Sequence, residues 1–226
     1  MHCYPKLNEH IDKEEIIGMP KQIWTDAANA VIRVGQVPLP VTDTLIELMQ
    51  TILTEEQASF ITALTRPMRL DEIVSVSDLS EFVIKQRLEE LLNIGVVTGI
   101  PSRSSGVMVY RLLPPLPGLF EYQLMRGIKG EKEKKIAGLF DQLFNELTNL
   151  VQGSYDDVIG LLKTVPPMTR VVPIEAEIPA KTENTLPYDD VNQIVDKFDT
   201  IAVSHCYCRH EKDLLGKPCN VTDTRE

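Results

Sequence analysis

The segment from residue 69 to residue 114 constrains the fold most, because its apolar pattern changes from helical to alternating. RLDEIVSVSD predicts a short helix, and SEFVIKQRLEELLNIG predicts a longer one with Ser80 as N-cap and Gly95 at its end. The side chains predicted to be buried along the longer helix are Phe82, Val83, Leu88, Leu91 and Leu92. VVTGIPSRSSGVMVYRLLP follows as two β-rich runs around a Pro/Ser/Gly turn, which predicts a hairpin.

Two more helices are predicted immediately upstream. TDTLIELMQTIL places Leu45, Leu48, Met49 and Ile52 on one helical face, and TEEQASFITALT begins at Thr54, a suitable N-cap. The complete order, with helices followed by a hairpin, is that of a winged helix.

The rest of the chain predicts a different organisation. EKEKKIAGLFDQLFNELTNLVQG is a strong amphipathic helix, whose wide apolar face favours core packing and leaves a homodimer open. Beyond it, TRVVPIEAEIP predicts a strand, YDDVNQIVDKF a helix, and TIAVSHCYC an apolar strand that runs into cysteines. The predicted class is α+β, with a mainly helical N-terminal part, a winged-helix domain, a long helix and a small α/β unit. We expect an N-terminal extension (1–41), the winged-helix domain (42–118), linking helices (119–167) and the α/β unit (168–226).

Composition limits the functions open to the chain. The net charge is −10 over 226 residues, and the sequence contains neither an uninterrupted apolar run long enough to cross a membrane nor a secretory signal. Four cysteines, three of them clustered, do not suggest a disulfide framework, so we expect a cytoplasmic protein without membrane insertion. Dinucleotide, Walker, nucleophile-elbow and zinc-protease motifs are all missing from the sequence, and we expect no catalytic activity of its own.

Charge also argues against DNA binding by the winged helix. Residues 51–113 contain six Lys and Arg against eight Asp and Glu, whereas a DNA-binding domain normally presents a basic face. We therefore expect this domain to contact proteins. DNA binding stays open as an alternative if Lys85, Arg87 and Arg103 converge on one surface.

The segment SHCYCRHEKDLLGKPC carries the main candidate site. On an extended strand, Cys206 and Cys208 would point to the same side and could bind one metal. A Gly-Lys-Pro turn could then return Cys219 to them, while Arg209 and neighbouring lysines would favour thiolates. Thiolate-rich sites select zinc or iron–sulfur clusters, but the spacing matches neither the usual structural zinc pattern nor the ferredoxin run. Reduced, exposed thiols remain the alternative.

A family resemblance narrows these alternatives. YRLLPPLPGLFEYQLMRG, KIAGLFDQLFNEL and VVPIEAEI, together with the C-x-C-R…G-x-P-C element, resemble bacterial and archaeal 4Fe-4S binding proteins with an N-terminal winged-helix-like domain. The resemblance implies an electron-transfer or redox accessory protein that acts with an oxidoreductase partner. Cys206, Cys208 and Cys219 match the motif cysteines.

The family pattern continues beyond what this sequence contains. In the family, a further cysteine and ferredoxin-type C-x-x-C repeats follow, and none occurs here, so we expect the chain to be a fragment whose cluster belongs to the complete protein. His205 or His210 is the candidate fourth ligand, and zinc is the alternative metal. The alternative function is a metal- or redox-sensing winged-helix transcription regulator.

Overall fold

The computed structural model describes residues 13–35, 39–163 and 198–219. These residues form a mainly helical structure with one small antiparallel sheet, which confirms the predicted α+β class at that level. Among them, no helix is both apolar and long enough to cross a membrane.

The first three helices build one side of the core. They are α1 (Lys13–Arg33), α2 (Asp43–Ile52) and α3 (Glu55–Ile61). Thr54 begins α3 with a complete capping box, in which its hydroxyl accepts from the Gln57 backbone and the Gln57 side chain accepts from the Thr54 backbone. The apolar face predicted for α2 is confirmed, because Leu45, Leu48, Met49 and Ile52 are all buried.

A short strand, two helices and a hairpin follow. They are β1 (Met68–Arg69), α4 (Leu70–Val76), α5 (Glu81–Asn93), β2 (Val97–Pro101) and β3 (Met108–Leu112). The sheet order is β1-β3-β2, and both pairings are antiparallel, with Tyr110 of β3 opposite Met68 on one side and Gly99 on the other. The predicted N-cap of α5 is confirmed, since the Ser80 hydroxyl accepts from the Val83 backbone.

The buried face predicted for α5 is partly wrong. The buried positions are Ile84, Leu88 and Leu91, whereas Phe82 is 76% exposed and Leu92 is 37% exposed. Positions 84, 88 and 91 follow the spacing of a single helical stripe, and Phe82 lies about 200° around the helix axis from Ile84. The sequence offered more apolar residues than one face can bury.

The remaining helices cover the other side of the core. After an irregular turn at Pro115–Leu119 come α6 (Phe120–Leu124), α7 (Glu131–Gly153), α8 (Tyr155–Leu162) and α9 (Tyr207–Leu214). Helix α7 packs along α2 and buries Ile136, Leu139, Phe140 and Leu143, while Leu150 near its end is 46% exposed. One apolar cluster extends from Trp24 to Leu143, so α1 and α7 share a core with the segment between them.

The cysteine segment differs from its prediction. The strand predicted at 169–179 and most of the following helix lie outside the described residues. The apolar strand predicted to run into the cysteines is wrong, because residues 201–204 have no regular structure and Tyr207 begins α9. Helix formation there is favoured by packing of α9 against α6 and α7, which a local apolar pattern does not reveal.

Candidate functional site

Helix α9 is attached to the helical core at its N-terminal end. The His205 backbone N–H donates to the Met125 carbonyl at 2.9 Å. The ring of Tyr207 meets that of Phe120 edge to face, with ring centroids 5.5 Å apart. These contacts fix the direction in which the neighbouring cysteines point.

The two cysteines of the C-x-C element do not face the same side. Cys206 is the N-cap of α9 and is 7% exposed, whereas Cys208 in the first turn is exposed. Positions two apart on a helix are about 200° apart around its axis, whereas on a strand they share a side. The predicted joint presentation of these two thiols is therefore wrong.

Cys208 and Cys219 instead line the same pocket. Both line a pocket of about 340 Å³ whose apolar wall is formed by Phe120 and Phe144. The chain returns through a turn at Gly216, which has a φ of +71° and lets the Lys217 backbone donate to the Lys212 carbonyl at 2.8 Å. This turn was expected to bring Cys219 to both Cys206 and Cys208. Cys219 lines the same pocket as Cys208, and Cys206 does not line it.

The histidines lie apart from this pocket. The rings of His205 and His210 are 5.9 Å apart between centroids, and neither lines the pocket of Cys208 and Cys219. His210 is buried, and its Nε2 lies 3.0 Å from the Ile128 carbonyl, an acceptor, so Nε2 is the protonated nitrogen. Both rings are held by packing and backbone contacts. Within the described ranges, no three His, Cys, Asp or Glu side chains are grouped to hold a metal.

A charge cluster around the buried Glu211 at the pocket was not predicted. Glu211 is 2% exposed, and Lys212 Nζ lies 3.1 Å from Glu211 Oε1 and 2.6 Å from Asp141 Oδ1 on α7. Burial raises the pKa of Glu211, and the Lys212 hydrogen bond partly opposes that rise. The same ammonium group lowers the pKa of Asp141 by donating a hydrogen bond to it. The sequence offers no signal for this cluster, since Asp141 is distant along the chain.

This cluster also changes the role predicted for Lys212. The residue was expected to favour thiolates, together with Arg209 and Lys217. Arg209 and Lys212 do line the pocket, but the Lys212 ammonium is already paired with two carboxylates. Lys212 therefore contributes mainly to holding α9 on α7.

The candidate DNA-binding residues lie on α5 and in the hairpin turn. Lys85 Nζ lies 2.6 Å from Glu81 and Arg87 Nη1 lies 2.9 Å from Glu90, so carboxylates on α5 pair both cations. Lys85 and Arg87 are also about 200° apart around that helix. Arg103 is exposed in the turn between β2 and β3. The positions on α5 place Lys85 and Arg87 on different sides of the helix, and DNA contact by these residues stays a prediction.

Comparisons with known proteins assign no family to the chain. No protein-family model, curated protein or solved structure matches it. The resemblance to 4Fe-4S binding proteins stays a prediction, and function is argued from the residues above.

Proposed function

We propose that this chain is a cytoplasmic redox accessory protein that works with an oxidoreductase or electron-transfer partner. In this proposal the segment from α3 to β3 is a winged helix used for protein contacts, and the segment around α9 presents thiols for metal binding. The observation that carries the proposal is the pocket shared by Cys208 and Cys219, with Arg209 beside them. A nearby cation favours the thiolate form that binds metal.

The described cysteines do not supply a complete iron–sulfur site. A [4Fe-4S] cluster is normally held by four cysteine thiolates and, when bound, supplies one-electron transfer. Only Cys208 and Cys219 share the pocket, and Cys206 is buried away from it. Two thiols in one pocket would supply part of the ligand set of an iron–sulfur cluster, or of zinc as the alternative metal.

Metal binding by variants tests the role of the shared pocket. The chain is incubated anaerobically with ferrous iron and sulfide, and separately with zinc. Bound metal is measured by elemental analysis and by absorbance at about 400 nm. We expect Cys208→Ser and Cys219→Ser to lose the bound metal. Cys3→Ser is the matched control and should bind as the unsubstituted chain does.

Three outcomes discriminate among the interpretations. Thiol-dependent iron and sulfide binding supports the iron–sulfur proposal, whereas zinc binding without iron supports the zinc alternative. Equal metal content in Cys208→Ser and Cys3→Ser contradicts the role of the pocket. Cys206→Ser should keep more metal than Cys208→Ser, because the Cys206 thiol is buried outside the pocket.

A transcription regulator is the second candidate, and the order of elements from α3 to β3 favours it. The ion pairs of Lys85 and Arg87 weigh against it, as does Phe82, which exposes an aromatic ring where a DNA-binding helix presents polar groups. Binding of duplex DNA is measured at low salt, where nonspecific phosphate attraction is strongest. Binding that Arg103→Ala weakens would support the regulator, and the lack of any binding would remove it.

A further inference from the structure

A groove between the helices opens beside the start of α5. It has a volume of about 590 Å³, and its lining residues come from α1, α3, α4, α5 and the turns after α3 and α4. Its apolar lining consists of Ile23, Phe60, Ala63, Val76, Leu79 and Val83. Val76 and Leu79 are 57% and 42% exposed, so the apolar wall of this groove continues onto the surface.

Three exposed apolar side chains lie close together in sequence at this corner. Val76, Leu79 and Phe82 lie within one turn-and-helix segment, and the ring of Phe82 is 76% exposed. Scattered single apolar residues are ordinary on a protein surface, whereas a group beside a groove indicates a binding surface. A helix start that binds DNA would instead present polar and basic groups to phosphates.

The rim of the groove is acidic. Glu55 and Glu56 in the first turn of α3 and Asp78 in the turn before α5 line it and are exposed. Among the described residues, Arg87 is the cation that lines the groove, and it is already paired with Glu90 at 2.9 Å. A partner that buries the apolar wall must therefore bring positive charge to this rim.

The walls of the groove also limit the backbone of its occupant. Every lining residue belongs to a helix or to a turn next to one, and none comes from the sheet. An added strand needs a free strand edge for its main-chain hydrogen bonds, and this lining offers none. A helix satisfies its own backbone and can place apolar side chains into such a groove.

We propose that the groove between α3, α4 and α5 binds a basic amphipathic helix of a partner protein. Apolar side chains of the partner pack against Val76, Leu79 and Val83, and its Lys or Arg side chains pair with Glu55, Glu56 and Asp78. This inference rests on the proposed protein-contact role of the winged helix and names the partner's chemistry. It does not depend on the metal at Cys208 and Cys219.

Fluorescence anisotropy with a labelled synthetic peptide tests the proposal. The probe has about 18 residues of leucine and lysine, with the leucines on one helical face. A peptide of the same composition in scrambled order and one with glutamate in place of lysine are the comparison probes. We expect the basic amphipathic peptide to bind the whole chain more tightly than either, with an affinity that falls as salt rises.

Two variants remove the two parts of the proposed interaction. Val76→Ser/Leu79→Ser removes exposed apolar side chains, and we expect at least about a tenfold loss of peptide affinity. Its matched control, Ile100→Ser/Tyr155→Ser, alters side chains that are 60% and 61% exposed elsewhere and should bind normally.

The second variant removes the acidic rim. Glu55→Gln/Glu56→Gln/Asp78→Asn should flatten the salt dependence of binding, because it removes the carboxylates that face the peptide. Its matched control neutralises three exposed carboxylates outside the lining, as Glu131→Gln/Asp156→Asn/Asp199→Asn, which are exposed like those of the rim. Circular dichroism shows whether each variant is folded. If Val76→Ser/Leu79→Ser does not fold, the salt dependence of peptide binding to Glu55→Gln/Glu56→Gln/Asp78→Asn still tests the proposal.

Each remaining result overturns the inference. Equal losses in variant and control indicate nonspecific attraction to an acidic chain, and equal binding of the glutamate peptide removes the charge argument. Displacement of the peptide by duplex DNA assigns the surface to DNA and also removes the protein-contact role. A dimer that Leu79→Ser dissociates assigns the groove to a second copy. If the unsubstituted chain binds metal but does not bind the basic amphipathic peptide, this inference is overturned and the metal proposal stays intact.

Discussion

Replacing Lys212 by methionine tests whether the charge cluster around the buried Glu211 holds α9 on α7. Methionine keeps much of the apolar stem and removes the ammonium group, so the packing contribution is largely preserved. Glu211, which is 2% exposed, would then face Asp141 with only the weaker attraction of Lys217 to offset the repulsion. The first effect should be opening of α9, because this helix depends on its contacts with α6 and α7.

The magnitude follows from the hydrogen bonds that are lost. Hydrogen bonds to charged groups contribute about 1.5–3 kcal/mol when buried. The Lys212 side chain is 42% exposed, and solvent screens that part of the interaction. We therefore expect about 1–2 kcal/mol for the whole cluster, which raises the open population of α9 by a factor of about 5–30.

The Cys206 thiol provides the assay. It is 7% exposed at the N-cap of α9, so its reaction with a disulfide reagent reports opening of that helix. The other cysteines are replaced by serine, and each rate is divided by that of the denatured chain at the same pH. The matched control is Lys129→Met, whose ammonium lies 2.6 Å from Asp213 with side chains that are 68% and 38% exposed. An exposed pair of that kind should change the rate by about twofold.

The pH dependence has a definite sign. A carboxyl whose pKa is raised in the folded state stabilises the fold at low pH, and that contribution is lost as the pH rises through its folded pKa. Removing Lys212 raises the pKa of Glu211 further and removes the lowering at Asp141, and both changes destabilise most near neutral pH. The excess rate should be larger at about pH 7 than at about pH 5. Equal rates for both lysine variants, or an excess independent of pH, would refute the argument.

Three further predictions concern stability. Glu211→Gln keeps an acceptor for Lys212 and removes the buried charge. The increase in α9 opening that comes from ionisation of Glu211 as the pH rises should therefore disappear, and an unchanged pH profile in the thiol assay would contradict this. Gly127→Ala should destabilise the fold more than Gly106→Ala in urea unfolding, since both have φ near +70° but only the first methyl group would clash with the His205 ring; equal losses would count against that contact. Thr54→Ala should cost about 0.5–2 kcal/mol of unfolding free energy through loss of the capping box, and an unchanged urea midpoint would be the contrary result.

Local features of the chain were predictable from the sequence because they depend on residues within about one helical turn. The caps at Thr54 and Ser80 need only a hydroxyl and a backbone N–H three residues on. Gly95 occupies a φ of +67° after α5, as its residue type indicates. The apolar face of α2 follows from periodicity alone.

The candidate site could be located from the sequence, but the arrangement of its cysteines could not. The cluster of Cys206, Cys208 and Cys219 was visible, but its geometry depended on whether residues 204–208 form a strand or a helix. An apolar run of that length fits both, and packing of Tyr207 on Phe120 accompanies the helical choice. With the helix, Cys206 is buried, and Cys208 lines the same pocket as Cys219.

Helices α2, α3, α4, α5 and α7, the caps at Thr54 and Ser80 and the presence of a cysteine cluster can be predicted from the sequence, because each is encoded by near neighbours. Which thiols share a pocket, the exposure of Phe82 and the pairing of Lys212 with Asp141 depend on the tertiary structure. These outcomes depend on competition for limited buried surface and on contacts between segments distant along the chain. The apolar periodicity of one segment does not show which of its residues another segment will bury.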